Sequence, residues 1–257
     1  MSLLGIVLGI AFFVITQAQT SGFEAFFIRT ILGTNGAIRI SDRFQDMHGT
    51  VRSSSKDGKT SFFFHSKEGA LYTEGIENPK LLKDALDQFT EISGISEILE
   101  GNAILNGISR SQTVQIHGIV PSNHIMVSDL EKQIIRGELS AFELDPMTIL
   151  IGNRVAQRLM LQVGDRVNIQ GRTGNLQLRI AGFFETGVSQ IDKNRVYIHL
   201  STAKAFIGKR FSGSIFQLSM FDPSKAPEIA AQIQETTGHR TVSWQEREQV
   251  WLDVFKA

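Results

Sequence analysis

From Met1 to Phe23 the chain carries no charge, and Leu3 to Ile15 is apolar throughout except for Gly5 and Gly9. Phe23, Phe26, Phe27 and Ile31 then recur at i, i+3, i+4 and i+8, with Glu24 and Arg29 on the other face. This predicts a helix that turns amphipathic without a break and stops at Gly33. Beyond it the pattern changes to short alternating runs. Gly36 to Phe44, Ile92 to Leu105, Thr113 to Val120, Thr148 to Ile151, Arg195 to Leu200, Ser214 to Phe221 and Thr241 to Ser243 read as strands. Arg166 to Gln170 and Leu176 to Phe184 form a hairpin with only residues 171–175 between them. A looser hairpin is expected around Asp57-Gly58, leading into Ser61 to His65.

Helices are expected where caps precede apolar periodicity. Asn78-Pro79 opens one over Lys80 to Phe89, with Leu81, Leu82, Ala85 and Phe89 inward. The capping box Ser128-x-x-Glu131 places one over 129–136, stopping at Gly137. Others cover Asn153 to Leu161, burying Val155, Leu159 and Met160, and Thr202 to Ile207. Asp222-Pro223 opens a helix to Thr236 that Gly238 ends. A second capping box, Ser243-x-x-Glu246, starts a last helix presenting Trp244, Val250, Trp251, Val254 and Phe255. The chain thus begins and ends on apolar helices.

A membrane-spanning helix needs about 20 apolar residues, so the 13 from Leu3 to Ile15 fit a truncated span better than a complete one. Gly5-x-x-x-Gly9 permits close helix approach in a bilayer. Two other readings exist. A secretory signal peptide, cleaved after about Ala18, wants a basic start that Met1-Ser2 lacks. A buried core helix also suits a run of this length. The continuous amphipathic extension to Ile31 favours a helix that leaves a membrane as a stalk and packs on a folded domain.

Composition narrows the function classes. The 257 residues are 42% hydrophobic, enough to bury a core in one large domain or two small ones. Lys plus Arg and Asp plus Glu number 26 each, so no net field selects nucleic acid or anionic lipid. Without cysteine, there are no disulfides, thiolate metal sites or cysteine nucleophiles. Basic residues are never interleaved with aromatics on one element, so no nucleic-acid footprint exists.

The search for chemistry yields no catalytic, cofactor or metal site. Ser53 to Thr60 ends in Gly58-Lys59-Thr60 as a P-loop does, but Ser53 stands where the motif needs Gly, and strand-like residues follow. The six histidines show no i, i+4 pair and no zincin Glu, although His117 and His124 flank Pro121 and could meet across a turn. No Gly-x-Ser-x-Gly elbow occurs. The carboxylate pairs Asp84 with Asp87 and Glu143 with Asp145 read as solvated faces.

Several stretches in order resemble the LolC/LolE, MacB and FtsX class of ABC-transporter permeases. Leu3 to Gly33, with Gly5-Ile6-x-Leu8-Gly9 and Ser21-Gly22-Phe23-Glu24, resembles their first transmembrane helix. His117-Gly118-Ile119-Val120-Pro121 is similar to a turn of that class. So are Ile149 to Gly152, Val155-Ala156 and Leu161-x-Val163-Gly164-Asp165, then Arg179 to Gly187, Asp192 and Val196-Tyr197-Ile198. Ser243-Trp244 resembles the pair before the second transmembrane helix.

The resemblance implies an α+β, two-lobed domain on an N-terminal transmembrane and stalk helix (1–33). A mixed α/β Porter subdomain (34–111 and 208–257) would flank an inserted β-rich Sabre subdomain (112–207). It implies a non-enzymatic permease in the inner membrane, its domain facing the periplasm or cell exterior. ATP would be bound by a separate cytoplasmic ATPase, with no cofactor in this chain. Partners would be that ATPase, a second permease copy or homologue, and a lipoprotein or periplasmic carrier. Phe12, Phe13, Phe23, Phe26 and Phe27 are candidates for a greasy contact surface, with helix packing as the rival role. Arg172, Thr173 and Gly174 form the candidate partner-facing hairpin tip. That tip is short where LolC carries a long Hook arm, which points towards LolE or a generic member. The alternatives are an FtsX-like scaffold that activates a cell-wall hydrolase and a secreted soluble enzyme with a signal peptide. The polar stretch from Gln45 to Lys80 has no assigned partner.

Overall fold

The computed structural model describes residues 2–42, 52–56, 59–63, 76, 78–107, 109–171, 174–208 and 215–256. The uncharged N-terminus forms a single helix, α1 (Ser2–Asn35), about 50 Å long at 1.5 Å per residue. It runs through Gly33 and stops at Gly36, whose φ of 65° is the left-handed conformation that ends helices. Gly33 has another reason to lack a side chain: a Cβ there would lie 2.4 Å from Asp129 Oδ2. The expected stop was three residues early.

β1 (Ile38–Ser41) follows with alternating burial. β2 (Arg52–Lys56) and β3 (Lys59–Phe63) pair antiparallel as a separate two-stranded sheet. Lys59-Thr60 therefore opens a strand, whereas a P-loop would open a helix there. α2 (Pro79–Leu86) buries Leu82 and Leu86 and leaves Leu81 69% exposed, correcting the expected inward face. β4 (Ile92–Asn106) and β5 (Ser111–Ile119) are long antiparallel partners.

Between β5 and the next central strand lies a covering segment of α3 (Pro121–His124), α4 (Leu130–Gln133), β6 (Ile134–Gly137) and α5 (Leu139–Leu144). The expected helix over 129–136 is thus a single turn. The β-branched pair Ile134-Ile135 favours extended backbone, and β6 pairs with β9 (Asn175–Phe184) instead. Ser128 Oγ accepts from Leu130 N–H at 3.4 Å and donates to His124 O, so the predicted box is not formed.

β7 (Thr148–Gly152) is wholly buried and leads into α6 (Asn153–Leu159). Met160, expected inside, is exposed at φ 55°, because the chain needs a left-handed residue to leave that helix. β8 (Arg166–Gln170) and β9 form the predicted hairpin. α7 (Ser189–Asp192), β10 (Arg195–His199), α8 (Leu200–Ile207) and β11 (Ile215–Met220) come next. A 3-10 turn (Pro223–Lys225), capped by Asp222, opens α9 (Ala226–Thr237), which Gly238 ends at φ 66°. β12 (Arg240–Ser243) precedes α10 (Trp244–Arg247) and α11 (Gln249–Lys256). Ser243 caps α10 by accepting from Glu246 N–H at 3.2 Å, as the second capping box predicts.

The pairings show how these pieces assemble. β4, β5, β10, β7, β9 and β8 are neighbours in turn, and β8 returns to β4 at residues 104–106. The ring closes into a six-stranded barrel, which leaves none of these strands as a bare edge there. Its interior takes alternate residues such as Leu99, Val114, Ile116, Ile149, Ile180 and Ile198, with α6 and α8 adding Val155, Leu159 and Phe206. The residues between them face outward and pack under the covering segment, where Ile98, Leu130, Phe142, Leu150, Phe184 and Tyr197 form a second core. The first half of β4 extends beyond the barrel and pairs with β11, which continues through β1 to β12. That smaller sheet has its own core of Ile38, Ile40, Leu82, Leu86, Phe216, Leu218, Ile233 and Trp244. One long strand therefore ties the two cores together.

Leu81 and Leu82 are chemically identical neighbours on opposite faces of α2, so they isolate burial as a variable. Leu82→Ala should lower the unfolding free energy by about 2–5 kcal/mol and Leu81→Ala by less than about 0.5, measured as urea midpoints.

Candidate functional site

At the end of α1, Leu32 O accepts from Gly36 N–H, and three separate regions of the chain hydrogen-bond Gly33 O, the Asn35 side chain and Gly36 O just past the helix. Gly33 O accepts from Asp129 N–H at 2.6 Å and from Gln133 Nε2 at 3.3 Å. Gln133 Nε2 also reaches Thr34 Oγ1 at 3.3 Å. Asn35 Oδ1 accepts from Arg195 Nη2 of the barrel at 3.1 Å, and Gly36 O accepts from Arg247 Nη2 of α10 at 3.3 Å. Ala37 N–H then donates to Leu218 O, and Ala37 O accepts from Trp244 N–H, both at 2.8 Å. The helix end is seated at the junction of barrel, covering segment and small sheet.

Electrostatics reinforce the seat. A helix C-terminus carries about half a negative charge, which suits the two arginines aimed at it. Arg195 is buried and also donates to Tyr197 Oη at 3.3 Å, with its guanidinium 6.0 Å from the Tyr197 ring centre. Arg39 on β1 pairs with Glu100 of β4 at 2.7 Å. Burial lowers the Arg247 side chain, opposed by Glu248, with which it pairs at 3.3 Å.

His117 and His124, which the sequence suggested could meet across a turn, are brought to the same place, one beside each part of the Tyr197 ring. Their ring centres lie 5.8 and 5.4 Å from it. Both are buried, and His124 Nδ1 bonds Ser96 Oγ at 3.0 Å. Burial first and Arg195 second hold His124 down at about 3 and His117 well below its usual value, so both are neutral.

The five candidate phenylalanines separate. Phe12, Phe13, Phe23 and Phe26 are 57 to 70% exposed. Phe27 is half-buried, its ring 5.8 Å from that of Trp251 on α11. The inward stripe of α1 is Phe27, Ile28, Ile31, Leu32 and Thr34, so Phe23 and Phe26 stay outside it. At 100° per residue, Phe12, Phe23 and Phe26 fall within an arc of about 60° on one side of the helix. Phe26 and Thr30 pass about 4 Å from where a Cβ on Gly187 would stand, so α1 also touches the barrel side. Among the described residues no helix is long and apolar enough to cross a membrane.

Gly174 lies at the β8–β9 turn, beside a shallow groove of about 470 Å³ that includes Met147, Leu176, Thr202 and Phe206. Arg172 and Thr173 lie outside the described residues. Among the described residues no group of acidic or histidine side chains is placed to hold a metal. Of the carboxylate pairs, Asp145 is engaged with Arg179 at 3.2 Å and Met147 N–H, while Asp84 and Asp87 are exposed.

The residues that resembled family motifs prove to be turn and close-contact positions. The Asp192 carboxylate accepts from both Thr186 N–H and Thr186 Oγ at 2.8 Å, shaping the turn at Gly187, where φ is 85°. Gly164 sits at φ 93°, and Asp165 accepts from Gln162 N–H. A Cβ on Gly118 would come 2.2 Å from Ala203 Cβ, and one on Gly152 would come 2.4 Å from Asp192 O. Such positions define an architecture, and residues 1–236 match MacB-like periplasmic core domains.

The chain belongs to this family. Curated relatives include the lipoprotein-releasing system transmembrane protein LolC of Xylella fastidiosa (strain Temecula1), 24% identical across 90% of this chain and 51% of its own length. LolC of Neisseria meningitidis serogroup B is 24% identical across 56% of this chain and 38% of its own length. The chain thus spans about half the length of the first of these, or less. Among solved structures, the periplasmic region of MacB from Actinobacillus actinomycetemcomitans aligns over 87% of this chain and 94% of its own, with a TM-score of 0.52 at 12% identity. The fold of this MacB-like core domain is therefore shared where sequence similarity is slight. Both relatives are LolC proteins, within the LolC/LolE, MacB and FtsX class that the sequence resembles.

The sequence showed the helix and missed its seat. Asn35-Gly36 was a readable stop signal, but Gln133, Arg195 and Arg247 are about 100 to 210 residues away from their partners in sequence. Gly36→Ala in this MacB-like core domain should destabilise it by about 1–3 kcal/mol, through left-handed strain and a contact 2.7 Å from Leu218 O. Gly9→Ala, which meets nothing within 4 Å, should be neutral or slightly stabilising. Thermal unfolding of the two variants checks the contrast.

Proposed function

We propose that this chain is the periplasmic part of an ABC-transporter permease, and that α1 is the lever through which ATP-driven motion in a separate cytoplasmic ATPase reaches the two lobes. The observation that carries the reading is the seat itself. A stiff helix about 50 Å long exposes much of one apolar side yet is hydrogen-bonded at its end to both lobes. Tilting such a helix moves Gly33 to Ala37, and with them β1, Arg195 and the covering segment, without any bond-making chemistry.

In this reading the exposed run from Val7 to Ile15 is the outer end of a first transmembrane helix in the inner membrane. α11, which leaves the domain beside α1 through the Phe27–Trp251 contact, leads towards the second. The smaller sheet with α2, α9 and α10 corresponds to the Porter subdomain and the barrel to the Sabre subdomain, with β4 shared between them. A second permease copy or homologue completes the assembly, ATP is bound by the ATPase, and this chain holds no cofactor and catalyses nothing. The cargo is a lipoprotein or another amphiphile. The relatives' names support that class, and the exposed Phe12, Phe23 and Phe26 offer it an apolar surface where α1 meets the membrane.

Two measurements on the intact transporter test the lever and the cargo separately. Asn35→Leu combined with Gln133→Leu should reduce substrate release several-fold while ATP hydrolysis continues; release that stays coupled would sink the lever. A photo-crosslinker replacing the exposed Phe26 should capture amphiphilic cargo, and capture of permease alone would assign that face to helix packing.

A further inference from the structure

The lever reading makes no use of the two buried histidines, yet they occupy the point where α1 is held. His124 ends α3, and the next turn of chain carries the clamp. His124 O accepts from Val127 N–H, Ser128 N–H and Ser128 Oγ at 3.0, 2.9 and 3.0 Å. Asp129 follows at once and donates its N–H to Gly33 O of α1. The His124 ring packs on Tyr197, whose hydroxyl accepts from the same Arg195 that grips Asn35. Moving this one ring therefore disturbs both the Asp129 and the Arg195 holds on the helix end.

The surroundings of the pair are rich in cations. Arg39 acts on His117 from β1, and Arg195 acts on both histidines from β10, while Arg247 on α10 neighbours those two arginines. Glu100 on β4 is paired with Arg39 and stands 3.5 Å from His117, and Glu248 is paired with Arg247. Ser96 and Tyr197 face His124 with a hydroxyl and a ring, and His199 lies further along β10, against Phe142. On the covering segment Asp129 is paired with Lys132 at 2.6 Å. No carboxylate contacts His124, and its Nε2 has no hydrogen-bond partner among the described residues.

We propose that His124, with His117 behind Tyr197, is an acid-operated latch on the seat of α1: protonation expels the His124 ring and frees the helix end from the covering segment. The two histidines differ in what they can do. His117 lies on the outer face of β5 beside Tyr197 and 3.5 Å from Glu100, a carboxylate that would partner its charged form. His124 lies on a four-residue helix over the barrel's outer face, so a local opening of residues 121–133 suffices. Because burial disfavours its charged form, the closed seat is undisturbed above the ordinary histidine value of about 6.5. It is progressively lost as pH falls below that value, with the opening equilibrium rising about tenfold per pH unit towards about 3. This inference rests on the seat alone and holds whether or not α1 acts as a lever.

Amide hydrogen exchange of the full chain at about pH 7.5 and 5.5, corrected for the intrinsic pH dependence, tests it. Protection at Val127, Ser128 and Asp129, whose N–H groups bond His124 O and Gly33 O, should fall about tenfold on acidification, by one pH unit below the ordinary histidine value. Gln115 and Ile180, bonded within the barrel to Asn194 O and Asp165 O, should hold theirs. His124→Asn keeps a polar group near Ser96 without a titratable ring and should abolish the selective loss. Parallel loss in both sets of amides, unchanged protection at the seat, or undiminished loss in the folded His124→Asn variant would each overturn the latch. The wild-type comparison decides by itself if that variant does not fold.

Discussion

The hydrogen-bonded capture of one helix terminus organises this molecule. A helix that ends inside a protein must have its last carbonyls satisfied, because an unpaired buried polar group costs about 1–3 kcal/mol. Here the covering segment meets Gly33 O, while the barrel holds the Asn35 side chain and α10 holds Gly36 O just past the helix. Satisfying α1 therefore fixes where these regions lie relative to one another. The glycine at position 36 makes the capture possible by turning the chain at once into β1, whose neighbours β11 and β12 receive the residues that follow.

The barrel provides the rigid side of this arrangement. Closure through the β8–β4 contact pairs its strands with one another, and alternate residues of each strand fill either the interior or the outer core under the covering segment. Tyr197 lies in that outer core while its hydroxyl and ring engage the polar groups of the seat. The junction is thus polar where it must hold a helix end and apolar where it must hold two sheets. That combination buries His117 and His124 near Arg195, where burial first and Arg195 second disfavour their charged forms.

Family membership and geometry address different questions. The motif residues that made the chain recognisable, such as Gly118, Gly152, Gly164-Asp165 and Asp192, are turn formers and points of close approach. They shape the turns and close contacts of this architecture. The residues that join the helix to the lobes, Asn35, Gln133, Arg195 and Arg247, lie mostly outside those motifs. A match to MacB-like core domains therefore identifies the scaffold, while the seat shows where α1 is joined to it.

Local physics made much of the fold legible. Uncharged periodicity marked α1, alternation marked the strands, and the caps at Asp222 and Ser243 opened helices where expected. Errors arose where tertiary contacts outweighed local preference. Ile134-Ile135 joined a sheet edge despite a capping box, Met160 took the left-handed exit of α6, and Leu81 faced water beside a buried twin. The phenylalanine stripe was divided for the same reason, since only packing against Trp251 decides that Phe27 turns in and Phe26 turns out. The sequence by itself determined the elements and the family, because these depend on neighbours a few residues apart. Only the tertiary structure decided the barrel closure, the seat of α1 and the meeting of His117 with His124 around Tyr197, because these rest on groups that chain order keeps far apart.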